Sequence, residues 1–150
     1  MNTNLFLHLI NLYDMKAYTH FYIFGFEYKG LVYMVCTNSS LLPQILTLDK
    51  ASRGAGYSLR FKPTTQQKLF LLTHAKVLCS KEYFEELVAE SKYNRGEVFE
   101  KLITEYFGQT WVKDNIPFTD AGDIEVNGVA YQIKYEKATF ASEKSLARLS

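Results

Sequence analysis

The tightest constraint in this chain is the segment AGDIEVNGVAYQIKYEK, residues 121 to 137. Asn127-Gly128 inside alternating apolar residues predicts a two-residue type I′ turn, which needs positive φ at both positions. With the turn at those residues Val126 opposes Val129, Glu125 opposes Ala130, Ile124 opposes Tyr131, and Asp123 opposes Gln132. Opposed residues of an antiparallel pair point to one side, with Cβ atoms about 4.5 to 5.5 Å apart. Lys134 joins Asp123 and Gln132 on that face by the two-residue period, and Ile124, Val126, Tyr131, Ile133 and Tyr135 make an apolar opposite face suited to a core.

At 150 residues the chain can bury a sizeable core. Its apolar and charged fractions are those of an ordinary globular protein. Cys36 and Cys79 lie far apart with no CxxC spacing, so neither a disulfide framework nor a zinc site is expected, and a reducing, cytoplasmic setting is the simpler reading. The three histidines, His8, His20 and His74, lack ligand spacing. The opening MNTNLFLHLINLYDMK has no basic leader region and is broken by His8, Asn11 and Asp14, so a packed helix is expected rather than a signal peptide or a membrane span.

Charge is unevenly distributed. Residues 1–80 carry eight bases and three acids, a net charge of +5, and residues 81–150 carry nine bases and thirteen acids, a net charge of −4. A basic half suits a polyanion and an acidic half suits cations. The expected organisation is a basic N-terminal α+β region over 1–92 and a compact αβββα core over 93–150, in the α+β class with a mixed central sheet flanked by helices.

Along the first half the pattern predicts a helix over 3–16, then a hairpin turning at Lys29-Gly30 whose Tyr22, Phe24, Phe26 and Tyr28 share one side as sheet packing. A short strand follows in which Ser58, Arg60 and Lys62 alternate with Tyr57, Leu59 and Phe61. Lys50, Arg53, Arg60 and Lys62 form the candidate phosphate-contacting patch, against the alternative of a solvated strand face. Gly54-Ala55-Gly56 is not a P-loop, since no GK[ST] follows, and no nucleotide cofactor is expected. Helices are predicted over 64–78 and 81–92, the second capped by Ser80.

YNRGEVFEKLITEYFG predicts a further helix, with Phe99, Leu102, Ile103, Tyr106 and Phe107 at i, i+3, i+4, i+7, i+8 and Gly108 as its stop. Asn94 and Glu97 form a capping-box start. At about 100° per residue Glu100 falls at the edge of the apolar stripe, while Glu97 and Glu105 lie toward solvent. TWVKDNIPF is read as a strand and connection, and SEKSLARLS as a closing helix.

The chemistry suggested by Glu100, Asp123, Gln132 and Lys134 is metal-assisted phosphodiester cleavage. A hard cation takes oxygen ligands, here a carboxylate from Asp123, an amide oxygen from Gln132, the backbone carbonyl of Ile133, and Glu100 directly or through water. Lys134 can orient or help deprotonate the attacking water and stabilise charge on the phosphate. The competing reading is a solvated Asp123–Lys134 ion pair across the hairpin. Glu125 shares the face of Asp123, while Glu136 and Lys137 fall beyond it.

RGEVFE with Gly96 and Glu100, then Gly122-Asp123, then Gln132-Ile133-Lys134, resembles the PD-(D/E)XK or restriction-endonuclease-like phosphodiesterases, within them the Mrr-like restriction endonucleases and Holliday-junction resolvases. The resemblance covers residues 94 to 146. It implies a restriction-endonuclease-like core, Mg2+-dependent DNA cleavage with Mn2+ as substitute, a site of Glu100, Asp123, Gln132, Ile133 and Lys134, DNA as partner, and a homodimer as an arrangement for cutting both strands. Gln132 stands where an acid is commoner, although Mrr-like members also use Gln. The family core adds a strand beyond this segment, so an N-terminal strand completes the sheet or the core is pared down. The alternative is a catalytically weak nuclease-fold protein from a phage or mobile element that acts by binding.

Overall fold

A computed structural model describes residues 3–16, 21–50, 56–112 and 123–142. Its elements run α1 (Thr3–Lys16), β1 (Phe21–Tyr28), β2 (Leu31–Asn38), a 3-10 turn (Ser39–Leu41), α2 (Leu42–Ile45), β3 (Thr47–Lys50), β4 (Tyr57–Phe61), α3 (Thr65–Leu72), β5 (Ala75–Ser80), α4 (Lys81–Glu90), α5 (Arg95–Tyr106), β6 (Ile124–Val126), β7 (Val129–Tyr135) and β8 (Ala138–Ser142). The class is α+β, with a mixed five-stranded sheet in the order β5-β2-β1-β7-β6 and a three-stranded sheet in the order β3-β4-β8.

β1 lies at the centre of the larger sheet because FYIFGF is a nearly continuous apolar run. Such a run suits a strand covered on both faces. Tyr22 through Phe26 are all buried. β1 pairs antiparallel with β2 through the Lys29-Gly30 turn, where φ is 47° and 83°, and parallel with β7 in the register Tyr22↔Gln132, Ile23↔Ile133, Phe24↔Lys134. An N-terminal strand therefore completes the sheet that carries the 123–135 hairpin. The 92/93 division falls between α4 and α5, and paired strands come from both sides of it.

The two faces of this sheet carry two cores. Tyr22, Phe24 and Phe26 pack with Leu9 and Ile10 of α1, Leu59 and Phe61 of β4, Leu71 of α3 and Phe140 of β8. Ile23, Met34, Ile124, Ile133 and Tyr135 pack with Phe84 of α4 and Val98, Phe99 and Ile103 of α5. At about 25 cal/mol per Å2 of apolar surface, each fully buried aromatic or aliphatic side chain stabilises the fold by roughly 1.5–3 kcal/mol before its entropy cost. The two clusters are thus large relative to any single polar contact.

Gly25 sets how closely α5 approaches. A Cβ at this position would lie 2.3 Å from two carbons of the Phe99 ring, so only glycine lets the helix seat there. Phe99 precedes Glu100, and this close approach fixes the height of Glu100 against the sheet.

One expectation is overturned. The helix expected over 64–78 ends at Leu72, and Ala75–Ser80 is β5, paired antiparallel with β2. Thr73 and His74 turn the chain through N–H bonds to Phe70 O (3.3 Å) and Leu71 O (3.0 Å). AKVLCS has no strong helical stripe, and the open edge of β2 offers it ladder hydrogen bonds that a local pattern does not reveal. ATFAS, for which the pattern predicts no strand, is β8. Residues 109–112 form no strand, and the rest of TWVKDNIPF lies outside the described residues, as does the expected closing helix from residue 143 onward. Among the described residues no helix is long and apolar enough to cross a membrane.

Candidate metal and phosphate site

The hairpin has the expected local geometry. Asn127 and Gly128 have φ of 51° and 81°, and the register is Val126↔Val129, Glu125↔Ala130, Ile124↔Tyr131. β6 ends there, and Asp123 continues the contact in another way. Its N–H donates to Tyr131 O at 2.8 Å, and its Oδ2 accepts the N–H of Ile133 at 2.8 Å. The carboxylate thus takes the place of a backbone carbonyl on the edge of β7. In an extended strand N–H and C=O of one residue project to the same edge. The Ile133 carbonyl is therefore directed to the edge that holds Asp123.

Gln132 and Lys134 share the face of their partners Tyr22 and Phe24, looking toward α1 and β8. Glu100 comes from α5, on the opposite face. The group wraps the edge of β7 just past the end of β6. Each charge there alters the others. Burial, then the negative charge of Asp123, pushes the Glu100 carboxyl from 4.5 up to about 7, with the Lys134 charge acting the other way. Burial also raises Asp123, opposed by the Ile133 N–H and by Lys134. Burial lowers Lys134, opposed by Asp123 and Glu100. The Asp123 residue is exposed as a whole, yet burial of its carboxyl raises its proton affinity above the ordinary value. No direct ion pair joins Asp123 to Lys134 among the described residues. The lysine Nζ lies 3.5 Å from Thr139 O.

The donors suit a hard divalent cation. Burial raises the proton affinity of both carboxylates, and the Asp123 charge raises that of Glu100 further, so the pair is short of positive charge, and Mg2+ is commonly held by one or two carboxylates with several waters retained. No group of three or more His, Cys, Asp or Glu converges among the described residues, so neutral oxygens must supply the rest.

Two site residues escape sequence reasoning. Tyr13 of α1 donates its hydroxyl to Gln132 Oε1 at 3.0 Å, and burial raises it to about 12 with Asp123 and Asp14 contributing. Only the parallel pairing of β1 with β7 brings α1 here. Trp111 stacks edge-on against Tyr93 with centroids 5.1 Å apart. Its buried Nε1 has no partner at hydrogen-bond geometry, though it lies near enough to Glu100 to favour the charged carboxylate.

The other expected residues lie elsewhere. Lys50 and Lys62 are exposed, and Arg53 lies outside the described residues. Arg60 and Lys62 approach one carboxylate, Asp49, at 4.0 and 3.8 Å, and Arg60 also donates to Lys137 O at 2.7 Å. Glu136 ties strands together: it accepts from Glu27 N at 2.6 Å and pairs with Lys68 at 3.4 Å. Glu125 is exposed, its carbonyl accepting from Gln109 at 2.6 Å. Glu97 completes the capping box with Asn94.

No protein-family model, no curated protein and no solved structure matches the chain.

Proposed function

We propose that the chain is a metal-dependent DNA endonuclease of the restriction-endonuclease-like type. The observation that carries this reading is the seating of Asp123 on the edge of β7, its Oδ2 accepting the Ile133 N–H at 2.8 Å within electrostatic reach of Glu100 and Lys134. A group of two carboxylates of raised proton affinity and a lysine of lowered affinity is a common signature of acid–base chemistry. A bound Mg2+ or Mn2+ would neutralise charge on the phosphate and acidify a water. Asp123 and Glu100, with the Gln132 amide and the Ile133 carbonyl, would be its oxygen donors. Asp123 is held for that role by the Ile133 N–H. Glu100 would hold the cation directly or through a water, and Lys134 can orient or help deprotonate the attacking water and stabilise charge on the phosphate.

DNA is the proposed substrate, Lys50 and Lys62 offer exposed charge toward its backbone, and a homodimer is the arrangement for cutting both strands. Cys36 and Cys79 are free thiols, which accords with a cytoplasmic setting. The test is plasmid cleavage in Mg2+ and Mn2+ by the wild type, Asp123→Ala and Lys134→Ala. Activity abolished in both variants supports the site, and cleavage unchanged in both removes it.

A second reading is a nuclease-fold protein, as in a phage or mobile element, that binds a partner without turnover. The neutral Gln132 and the presence of only two acidic ligands among the described residues favour it. It predicts no calorimetric metal binding and DNA or protein binding that survives Asp123→Ala.

A further inference from the structure

The Gln132 amide is held from behind by two tyrosines. Tyr22, fully buried on β1, hydrogen-bonds the Tyr13 hydroxyl, and Tyr13 in turn lies 3.0 Å from Gln132 Oε1. The direction is given by the Tyr13 hydroxyl, which donates its hydrogen to the Gln132 side chain. An amide accepts only through oxygen, so Oε1 faces α1 and Nε2 is turned away from the hydroxyl. Tyr13 has little freedom to release it. Its ring is wedged between Tyr22 and Phe140, with centroids 6.3 and 4.5 Å away.

We propose that Tyr13 is a positioning residue that commits the Gln132 oxygen to α1 and presents the N–H2 end as a hydrogen-bond donor to a phosphate oxygen of the nucleic acid. This rests on the nuclease reading of the site and revises the role of one member. Gln132 serves the anion rather than the cation, and Asp123, Glu100 and the Ile133 carbonyl remain as the cation's protein ligands. A glutamine meets this need where a glutamate does not. An ionised acid accepts the Tyr13 hydrogen equally well but has no N–H to donate, and it would add a third negative charge beside two carboxylates already short of compensation.

The test compares wild type, Tyr13→Phe, Tyr22→Phe, Gln132→Glu and Gln132→Ala. It has three readouts: Mn2+ calorimetry, binding of a short fluorescein-labelled DNA duplex in Ca2+, and the Gln132 side-chain NH2 resonances of the metal-free protein. Tyr13→Phe should shift those resonances and weaken DNA binding about tenfold, the size of one hydrogen bond to a charged group, while Mn2+ affinity stays put. Gln132→Glu should weaken DNA binding at least as much without lowering Mn2+ affinity. Tyr22→Phe should shift the resonances less. Mn2+ affinity that falls equally in Tyr13→Phe and Gln132→Ala would make the oxygen a cation ligand and overturn the proposal. Unmoved Gln132 resonances in Tyr13→Phe, or unmoved DNA affinity in both Tyr13→Phe and Gln132→Glu, would also overturn it. A wild type that binds neither Mn2+ nor DNA would instead sink the nuclease reading, and the NMR comparison still decides whether Tyr13 holds the amide.

Discussion

Replacing Glu100 by Gln should stabilise the metal-free protein at pH 8 and leave it nearly unchanged at pH 4. The folded state raises this carboxyl from 4.5 to about 7, chiefly through burial and then through Asp123. Between those two values the folded chain holds a proton that the unfolded chain has released, so stability falls as pH rises across the window and is level on either side of it. At about 1.36 kcal/mol per pKa unit the whole shift corresponds to roughly 3 kcal/mol. Glu100 is only partly buried, and solvent screening reduces the figure to about 1–2 kcal/mol. For a chain of this length that is roughly 3–6 °C in Tm. The assay is thermal or urea unfolding of wild type and Glu100→Gln in chelator from pH 4 to pH 8. The difference between the two proteins removes the contributions of other titrating groups, including Asp123, whose raised carboxyl acts with the same sign. A variant equal to wild type at every pH, or less stable at pH 8, would refute the coupling from which the site is built.

Three further outcomes follow from the same structure. Gly25→Ala drives a Cβ into the Phe99 ring at 2.3 Å and should cost about 2–3 kcal/mol in urea unfolding, partly recovered in Gly25→Ala/Phe99→Leu. Glu136→Gln breaks a largely buried pair with Lys68 and should cost about 2–3 kcal/mol, read by the same assay. Lys50→Gln/Lys62→Gln should leave Tm within about 1 °C, since surface charges contribute little, but should flatten the salt dependence of DNA binding by about one unit of slope for each phosphate that is no longer neutralised.

How much was legible depended on how local the cause was. The turn at Asn127-Gly128, the register of its hairpin, the Asn94–Glu97 capping box, the Ser80 cap and the stop at Gly108 were all readable, because each is fixed by residues within a few positions of one another. The edge position of Glu100 came from helical periodicity alone. β5 is not legible because AKVLCS becomes a strand only when the edge of β2 is beside it. Arg60 reads as a phosphate contact from strand alternation, but its guanidinium reaches Lys137 O, seventy-seven residues away, and no spacing rule anticipates that bond.

The sequence by itself determined the hairpin, the helix that carries Glu100 and the shared face of Gln132 and Lys134, since turn chemistry and side-chain period act over short range; Asp123 sits instead on the edge of β7. Only the tertiary structure decided that β1 lies parallel to β7, that Gly25 admits Phe99, and that Tyr13 closes on Gln132. Those contacts join segments separated by about half of the chain or more, and they form because two apolar faces of one strand must both be covered. The hydroxyl behind the glutamine is a consequence of that burial.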